Sequence, residues 1–265
     1  MKPLYVIKQE EAKLHISKGN SKIGKGIWSF ATLPGNAEHL IYIGKKVLLT
    51  DIPGTCSKHC DGCAKDGACY AWRDAKLHHN VTVRAWGENT LLLRNEPDRL
   101  FAEIDEFITG KNSKYFKTGD ERYHAVKTWR WNVSGEVENV NQLKRMNDLA
   151  RKHPEVAFGI YTKNYEALEE LIKTEEIAKN FVINVSEWHG VAAEFLARHP
   201  GEFNVFEYDD SNRDTTRQPV KAIHCPAVDK SGHHVKKPDG INPITCDCCG
   251  RCYRKTGERT AVWSH

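Results

Sequence analysis

Val126-Lys127-Thr128-Trp129-Arg130-Trp131-Asn132-Val133-Ser134-Gly135-Glu136 is the stretch that decides the fold. Its first eight residues are rich in β-branched and aromatic side chains, and Ser134-Gly135 punctuates their end, so 126–133 reads as a strand. Downstream, helix and strand signals alternate. Val140, Leu143, Met146, Leu149 and Ala150 form one apolar stripe of a helix over about 138–152, which Pro154 ends. A strand follows over 156–161, then a helix over 164–174 with Leu168, Leu171 and Ile172 inward. Next come a strand over 181–185, a helix around 190–198 and a strand over 203–206. This alternation points to an α/β chain with a parallel sheet of βαβ units. Periodicity leaves open whether that sheet closes into a barrel.

Upstream, residues 1–37 read as an irregular segment, with Gly19-Asn20-Ser21-Lys22 and Gly24-Lys25-Gly26 as turn material. They contain no phosphate-binding G-x4-G-K-[ST] loop. Two short apolar runs at 40–43 and 47–49 read as strands, and 68–79 as a helix. A further helix carries Leu100, Ile104, Phe107 and Ile108 after Pro97-Asp98. Beyond about 210 the alternation stops. Pro226, Gly232, Pro238 and Gly240 punctuate a tail with no apolar stripe of its own. The organisation expected is an entry segment over 1–37, an α/β domain over 38–224 and a loop-rich, cysteine-organised segment over 225–265.

A chain of 265 residues with 40% hydrophobic and 28% charged content can bury a substantial core. The formal charge of +4 is too mild for the electrostatic footprint of a dedicated nucleic-acid binder, so nucleic acid is not indicated. No apolar run approaches the roughly 18 to 20 residues that span a bilayer. Lys8, Glu10, Glu11 and Lys13 interrupt any secretory apolar region. The expectation is a cytoplasmic protein with no membrane partner.

Nine cysteines then require an explanation. An odd number without a secretory segment argues against a disulfide framework. They are clustered, at 56–69 and 246–252 with Cys225 apart, among Lys, Asp, Gly and His, which points to metal ligation. Cys56, Cys60 and Cys63 suit a cubane iron–sulfur cluster, whose fourth iron three thiolates leave open. Cys69 could close that sphere, or complete a tetrahedral zinc site. In the tail, Cys246, Cys249 and Cys252 share a C-x2-C-x2-C register and Cys225 supplies a fourth thiolate. That set describes a closed site, either structural zinc or a second [4Fe–4S] cluster, with Cys248 out of register. At the end of the first strand, Gly135 offers a ligand close approach to the backbone and Glu136 can accept from an ammonium group, although such tripeptides also make ordinary strand-to-helix turns. Lys163 and Asn164 lie at the next strand end, where barrel enzymes place site residues, and Asn184, Ser186 and Glu187 at the one after.

The order of these features resembles the radical S-adenosylmethionine enzymes: C-x3-C-x2-C, then strand–Ser134-Gly135-Glu136–helix, then strand–Tyr161-Thr162-Lys163-Asn164. Ser134 stands where that family has a first glycine, and Thr162-Lys163-Asn164 where Thr-Asn-Gly is common. The resemblance covers about 45–210 and implies a partial (β/α) barrel of about six strands. It further implies a [4Fe–4S] cluster on Cys56, Cys60 and Cys63, and S-adenosylmethionine with its amino group at Ser134, Gly135 and Glu136. Asn184 and Ser186 would hold the nucleoside or carboxylate. An external electron donor and an unidentified substrate complete the implied partners.

A second resemblance spans almost the whole chain. Gly19 to Gly24, Thr55 to Ala71, Trp131 to Glu136, Phe158 to Lys163, Cys225-Pro226-Ala227 and the tail cysteines are similar to an uncharacterised phage-borne family with cysteine clusters near both ends. That family implies no activity. It leaves room for a different reading, a non-enzymatic protein with two structural zinc sites of four cysteines each that binds a host protein or nucleic acid. An electron-transfer or sensing protein is a third.

Overall fold

The computed structural model describes residues 2–19, 23–35, 40–42, 47–60, 69–110, 126–231, 233–239 and 243–263. Its strands are β1 (Ser17–Lys18), β2 (Ile27–Ser29), β3 (Leu40–Tyr42), β4 (Val47–Thr50), β5 (Thr128–Arg130), β6 (Ala157–Thr162), β7 (Phe181–Glu187), β8 (Asn204–Asp209), β9 (Ile223–His224) and β10 (Arg259–Trp263). Its helices are α1 (Tyr70–Leu77), α2 (His79–Asn95), α3 (Pro97–Ile108), α4 (Val140–Lys152), α5 (Tyr165–Thr174), α6 (Ala193–Arg198) and the single turn α7 (Cys246–Cys249).

Eight strands form one sheet in the order β1-β2-β5-β6-β7-β8-β10-β9. Only β1 runs antiparallel, and every other neighbouring pair is parallel. Among the described residues the edge strands β1 and β9 do not meet, so the sheet is open and no barrel closes. β3 and β4 form a separate antiparallel hairpin. The fold is therefore mixed α/β around a mostly parallel sheet, with eight strands where about six were expected.

The two additional ends of the sheet come from segments without regular patterning in the sequence. Residues 1–37, read as irregular, supply β1 and β2. The tail read as loop-rich supplies β10, which lies between β8 and β9. The sheet thus crosses both expected boundaries, at 37/38 and 224/225. Polar groups of α2 stitch the first segment down. Asn89 Oδ1 accepts from His15 N (2.9 Å), its Nδ2 donates to the carbonyls of His15 and Ala31 (2.9 Å each), and Thr90 Oγ1 accepts from Leu33 N (3.0 Å). Asn89 and Thr90 are buried, and a buried amide or hydroxyl is tolerated when it is satisfied in this way.

Strand alternation divides the sheet into two faces. One face carries Trp129, Trp131, Phe158, Ile160, Ile183 and Val185 into a core shared with Leu100, Ile104 and Phe107 of α3, Leu143 and Met146 of α4, and Leu168 and Leu171 of α5. Trp129 and Trp131 pack edge to face with 5.3 Å between rings, and Phe30 meets Trp131 at 6.0 Å, the geometry aromatic quadrupoles favour. The other face receives the tail. A Cβ on Gly159 would stand 2.7 Å from the Tyr253 ring, so only glycine leaves that ring its place. Asn184 Nδ2 donates to Cys252 O (3.0 Å) and Ile160 O (3.2 Å). Asn204 Oδ1 accepts from the amides of Thr256 (2.9 Å) and Gly257 (3.1 Å) while its Nδ2 donates to Arg254 O (2.8 Å). Among the described residues no helix is long and apolar enough to cross a membrane.

Candidate functional site

The carboxyl end of β5 is where the first cysteine set, the Ser134-Gly135-Glu136 turn and the residue after β6 come together. Pairing between the first two parallel strands continues beyond their regular parts: Phe30 N donates to Arg130 O (3.1 Å), Val133 N to Phe30 O (3.0 Å) and Thr32 N to Ser134 O (3.0 Å). The chain returning from the hairpin lies against this extension, with Thr55 N on Leu33 O (3.0 Å) and Cys56 N on Gly35 O (2.8 Å). Arg94 of α2 fastens the junction. Its guanidinium donates to Pro53 O and Gly54 O (2.9 Å each) and grips Glu138 with two nitrogens (Nε 3.0 Å, Nη2 2.6 Å), a planar fork matched to a carboxylate. Nothing in the sequence around Arg94 singles it out.

Gly135 has φ +74°, and packing requires that it lack a Cβ. A Cβ would overlap Thr32 Oγ1 and stand 2.5 Å from Thr55 Oγ1. Those hydroxyls bond one another (2.8 Å), and Thr55 Oγ1 accepts from Glu136 N (2.8 Å). Glu136 is thereby turned into the interior, 3% exposed, with Oε1 accepting from Val137 N (2.9 Å) and Oε2 from Lys163 N (2.6 Å). Burial, and next the charge of Cys60, push its carboxyl up to about 8 against the pull of those two amides.

Cys56 and Cys60 adjoin one another. The neighbouring Cys56 thiol, then the Lys163 charge and Ser57, bring Cys60 down to about 6 against the cost of burial, while Cys56 is driven well up by that same contact and by burial. Cys56 Sγ accepts from Gly35 N (3.2 Å), Ser57 Oγ donates to Lys163 O (3.1 Å), and Cys69 Sγ caps α1 by accepting from Trp72 N (3.4 Å). Tyr70, next in the chain, donates its hydroxyl to Val133 O. Cys63 lies outside the described residues.

One further polar residue here escaped the sequence reading. Asn132 has φ +48°, uncommon for a residue with a side chain, and both its amide atoms are buried without a hydrogen-bond partner. Two residues on, the expected site residue Ser134 also has a buried, unpartnered Oγ. Orphaned polar atoms cost about 1–3 kcal/mol each, so a cluster of them fits a site that a polar ligand completes. The signal available beforehand was only the position of Asn132 in a strand-to-turn junction.

In the tail, Cys225 follows β9 and donates its amide to Ala261 O (2.7 Å). Cys246 and Cys249 sit on α7, and Cys252 on the 3-10 turn Arg251–Tyr253. Burial raises the Cys252 thiol, the adjacent Tyr161 hydroxyl opposes this, and Cys225 and Cys249 lie near enough for their charges to raise it further. Cys248 is exposed and turns to Thr245, accepting from its amide (3.3 Å). None of the eight described cysteines is in a disulfide. As placed, no three Cys, His, Asp or Glu side chains among the described residues are grouped to hold a metal ion. Cys225 and Cys249 nevertheless lie near Cys252, with no disulfide among them.

The remaining candidates have structural duties. Asn164 caps α5, accepting from Ala167 N (3.1 Å) and donating to Val137 O (3.0 Å). Asn184 holds the Cys252 carbonyl, as described above. Ser186 is buried, and its carbonyl accepts from Tyr165 Oη (2.7 Å). Glu187 accepts from the amides of Gly190 (2.6 Å) and Ala192 (3.0 Å), closing the turn before α6. Two shallow grooves, of about 410 and 340 Å³, are lined by no cysteine and lie apart from both sets.

Gly159 gives a direct test of how the tail set is seated. Gly159→Val is expected to cost about 2–3 kcal/mol by overpacking, displace Tyr253 and raise the alkylation rate of Cys252 in the metal-free protein. Unchanged labelling of Cys252 would show that the turn is held independently of the sheet.

Neither a curated protein nor a solved structure matches the chain. A family described as Gene product 88 does match, over residues 7–255, which takes in the whole sheet except the last strand, the first cysteine set and all the tail cysteines. The chain therefore belongs to the gene product 88 family.

Proposed function

We propose that this protein is a radical S-adenosylmethionine enzyme with two cysteine-held metal centres. The observation that carries the reading is the convergence of Cys56, Cys60 and the buried Glu136 with Lys163 at the carboxyl ends of two parallel strands, beside the orphaned Asn132 and Ser134. In α/β folds that end of the sheet is where ligands bind. When bound, a reduced [4Fe–4S] cluster supplies the electron that cleaves S-adenosylmethionine to methionine and a 5′-deoxyadenosyl radical, which takes a hydrogen atom from the unidentified substrate.

The chain's own residues bind, orient and shield. Cys56, Cys60 and Cys63 would hold the cluster. Glu136, fixed by the Val137 and Lys163 amides, would accept from the amino group of methionine, and the cation would favour its ionised form. Ser134 and Asn132 supply hydrogen-bonding capacity for the rest of the molecule. Lys163 and Ser186 are left as candidates for contact with carboxylate or nucleoside, since the amides of Asn164 and Asn184 are engaged elsewhere. An external donor would deliver the electron. The other reading, two structural zinc sites, draws on Cys69, which the Cys60 charge reaches and which could act as a fourth thiolate of the first set.

Anaerobic reconstitution with iron and sulfide separates them. The expected result is a reduced-state EPR signal that changes when S-adenosylmethionine is added, with formation of 5′-deoxyadenosine. Cys60→Ala should remove the first cluster and leave the tail site loaded. Glu136→Ala should keep both sites and weaken S-adenosylmethionine binding by about 10- to 100-fold, the worth of a charge-assisted hydrogen bond. Protein that takes up two zinc ions and no iron, under conditions that load a known cluster protein, would leave the structural reading.

A further inference from the structure

The loop that carries the first cysteine set is fixed at its two ends by different means. Its start is tied by backbone, with Cys56 N on Gly35 O (2.8 Å) and Cys56 Sγ accepting from Gly35 N (3.2 Å). Its continuation, the 3-10 turn Lys58–Cys60, contains no buried residue, so no core packing seats it. Three consecutive side chains reach instead to one segment, 163–166, where β6 passes into α5. Ser57 Oγ donates to Lys163 O (3.1 Å), and the His59 ring packs on Tyr165 with 4.8 Å between ring centres. Glu166 then meets His59 Nε2 with both oxygens (3.1 and 3.2 Å) and Lys58 Nζ with one (2.7 Å). The segment they reach is itself well anchored. Asn164 caps α5, and Tyr165 is buried, its hydroxyl donating to Ser186 O (2.7 Å) near the end of β7. The Lys163 amide also holds Glu136 Oε2 (2.6 Å), so one segment fixes the buried carboxylate and meets the cysteine turn.

A carboxylate in the first turn of α5 also has a plainer duty, since it complements the positive end of the helix. That duty needs no partner from the loop, whereas Glu166 is turned back onto two residues of it. The Lys58 pair is exposed at both ends and alone contributes little. His59 is better sheltered, 24% exposed, and is held between a carboxylate and an aromatic ring. We infer that Glu166 is a positioning residue for the first cysteine set, seating the turn that bears Cys60 on the carboxyl end of the sheet through His59 and Lys58. The inference rests on the function proposed above only in taking Cys60 as a cluster ligand.

The test is iodoacetamide alkylation of the full-length, metal-free protein, followed at each cysteine by mass spectrometry. Glu166→Ala is expected to speed alkylation of Cys60 by about 3- to 10-fold, the range for side chains in contact, and to leave Cys252 unchanged. Glu166→Asp keeps the charge at the helix end but shortens its reach, so it should speed Cys60 as well. Lys58→Ala with His59→Ala should act in the same direction from the loop side, and adding Glu166→Ala to that pair should change little more. Removing an anion and removing cations shift a thiol's ionisation in opposite senses, so a faster Cys60 from both sides reports position rather than charge. An unchanged Cys60 rate in Glu166→Ala overturns the inference, as does wild-type behaviour of Glu166→Asp, which would leave Glu166 its helix duty alone. A rise shared equally by Cys252, or effects that simply multiply, also overturns it. If Glu166→Ala does not fold, the Lys58→Ala, His59→Ala protein, whose α5 is intact, decides by the same rates. No metal or S-adenosylmethionine is present, so a faster Cys60 in protein that never forms 5′-deoxyadenosine would keep this inference and retire only the enzymatic reading.

Discussion

Gly135→Ala is expected to lose about 3–5 kcal/mol of stability and, with it, the inward setting of Glu136. Two costs add. A side chain at φ +74° carries about 1–2 kcal/mol of backbone strain. The new methyl group would also overlap Thr32 Oγ1 and press on Thr55 Oγ1, neither of which is free to withdraw. Thr32 Oγ1 faces Ser134 O (3.3 Å), and Thr55 Oγ1 both donates to Leu33 O (3.4 Å) and accepts from Glu136 N. Moving them breaks buried hydrogen bonds, at about 1–3 kcal/mol for groups left unpaired. The measurement is a shift in denaturant midpoint at unchanged slope. Pairing Gly135→Ala with Thr32→Ala should recover part of the loss, since the two positions touch. A single-variant loss below about 1 kcal/mol would mean that the turn relaxes around the methyl group.

Asp209→Ala is the second large effect, again about 3–5 kcal/mol, at the opposite side of the sheet. Asp209 is 1% exposed, and its carboxylate accepts from Ser211 N (3.0 Å), Ser211 Oγ (2.6 Å), Val220 N (2.9 Å) and His224 Nε2 (2.9 Å). His224 then stacks on Trp263 with ring centres 3.8 Å apart, so this one carboxylate ties β8, β9 and β10 together. Burial alone would raise its pKa. The Ser211 and His224 side chains and the two amides outweigh that and hold it below the ordinary carboxylate value. A depressed folded value means that the ion's contribution is fully present above the unfolded pKa near 3.9 and is lost as pH falls through the folded one. Wild-type stability should therefore decline below about pH 4, and Asp209→Asn should start lower and decline less. Equal acid slopes for the two proteins would remove Asp209 from the account.

How much of this was legible beforehand depended on local pattern. The helices over 140–152 and 165–174 and the strands over 157–162, 181–187 and 204–209 agree closely with their sequence reading, because apolar periodicity there coincides with the buried face. β2 was not legible, since a three-residue strand preceded by Gly24 and Gly26 is too short to show alternation. α2 was missed because its middle, Gly87-Glu88-Asn89-Thr90, is polar and yet buried, its side chains bonding to the chain's first segment. β10 alternates poorly and lies after a long loop. Among site residues the cysteines announced themselves by spacing. Asn132 did not, since an asparagine at a strand end reads as ordinary turn chemistry. Asn184 and Asn164 stand at the expected strand ends, but no local pattern reveals that the backbone already occupies their amides.

The place of β10 bears on how the molecule is made. Neighbouring strands β8 and β9 are both translated before it, and β9 pairs with β10 alone in the sheet. On a ribosome adding about 5–20 residues per second, roughly fifty residues and several seconds separate the last of β8 from the last of β10. During that interval β8 presents an open parallel edge, and the His224–Cys225 corner has no strand to lean on. The nascent chain therefore keeps this sheet unfinished until β10 has emerged, and the Cys225 corner gains its seat, through Ala261 O, only then.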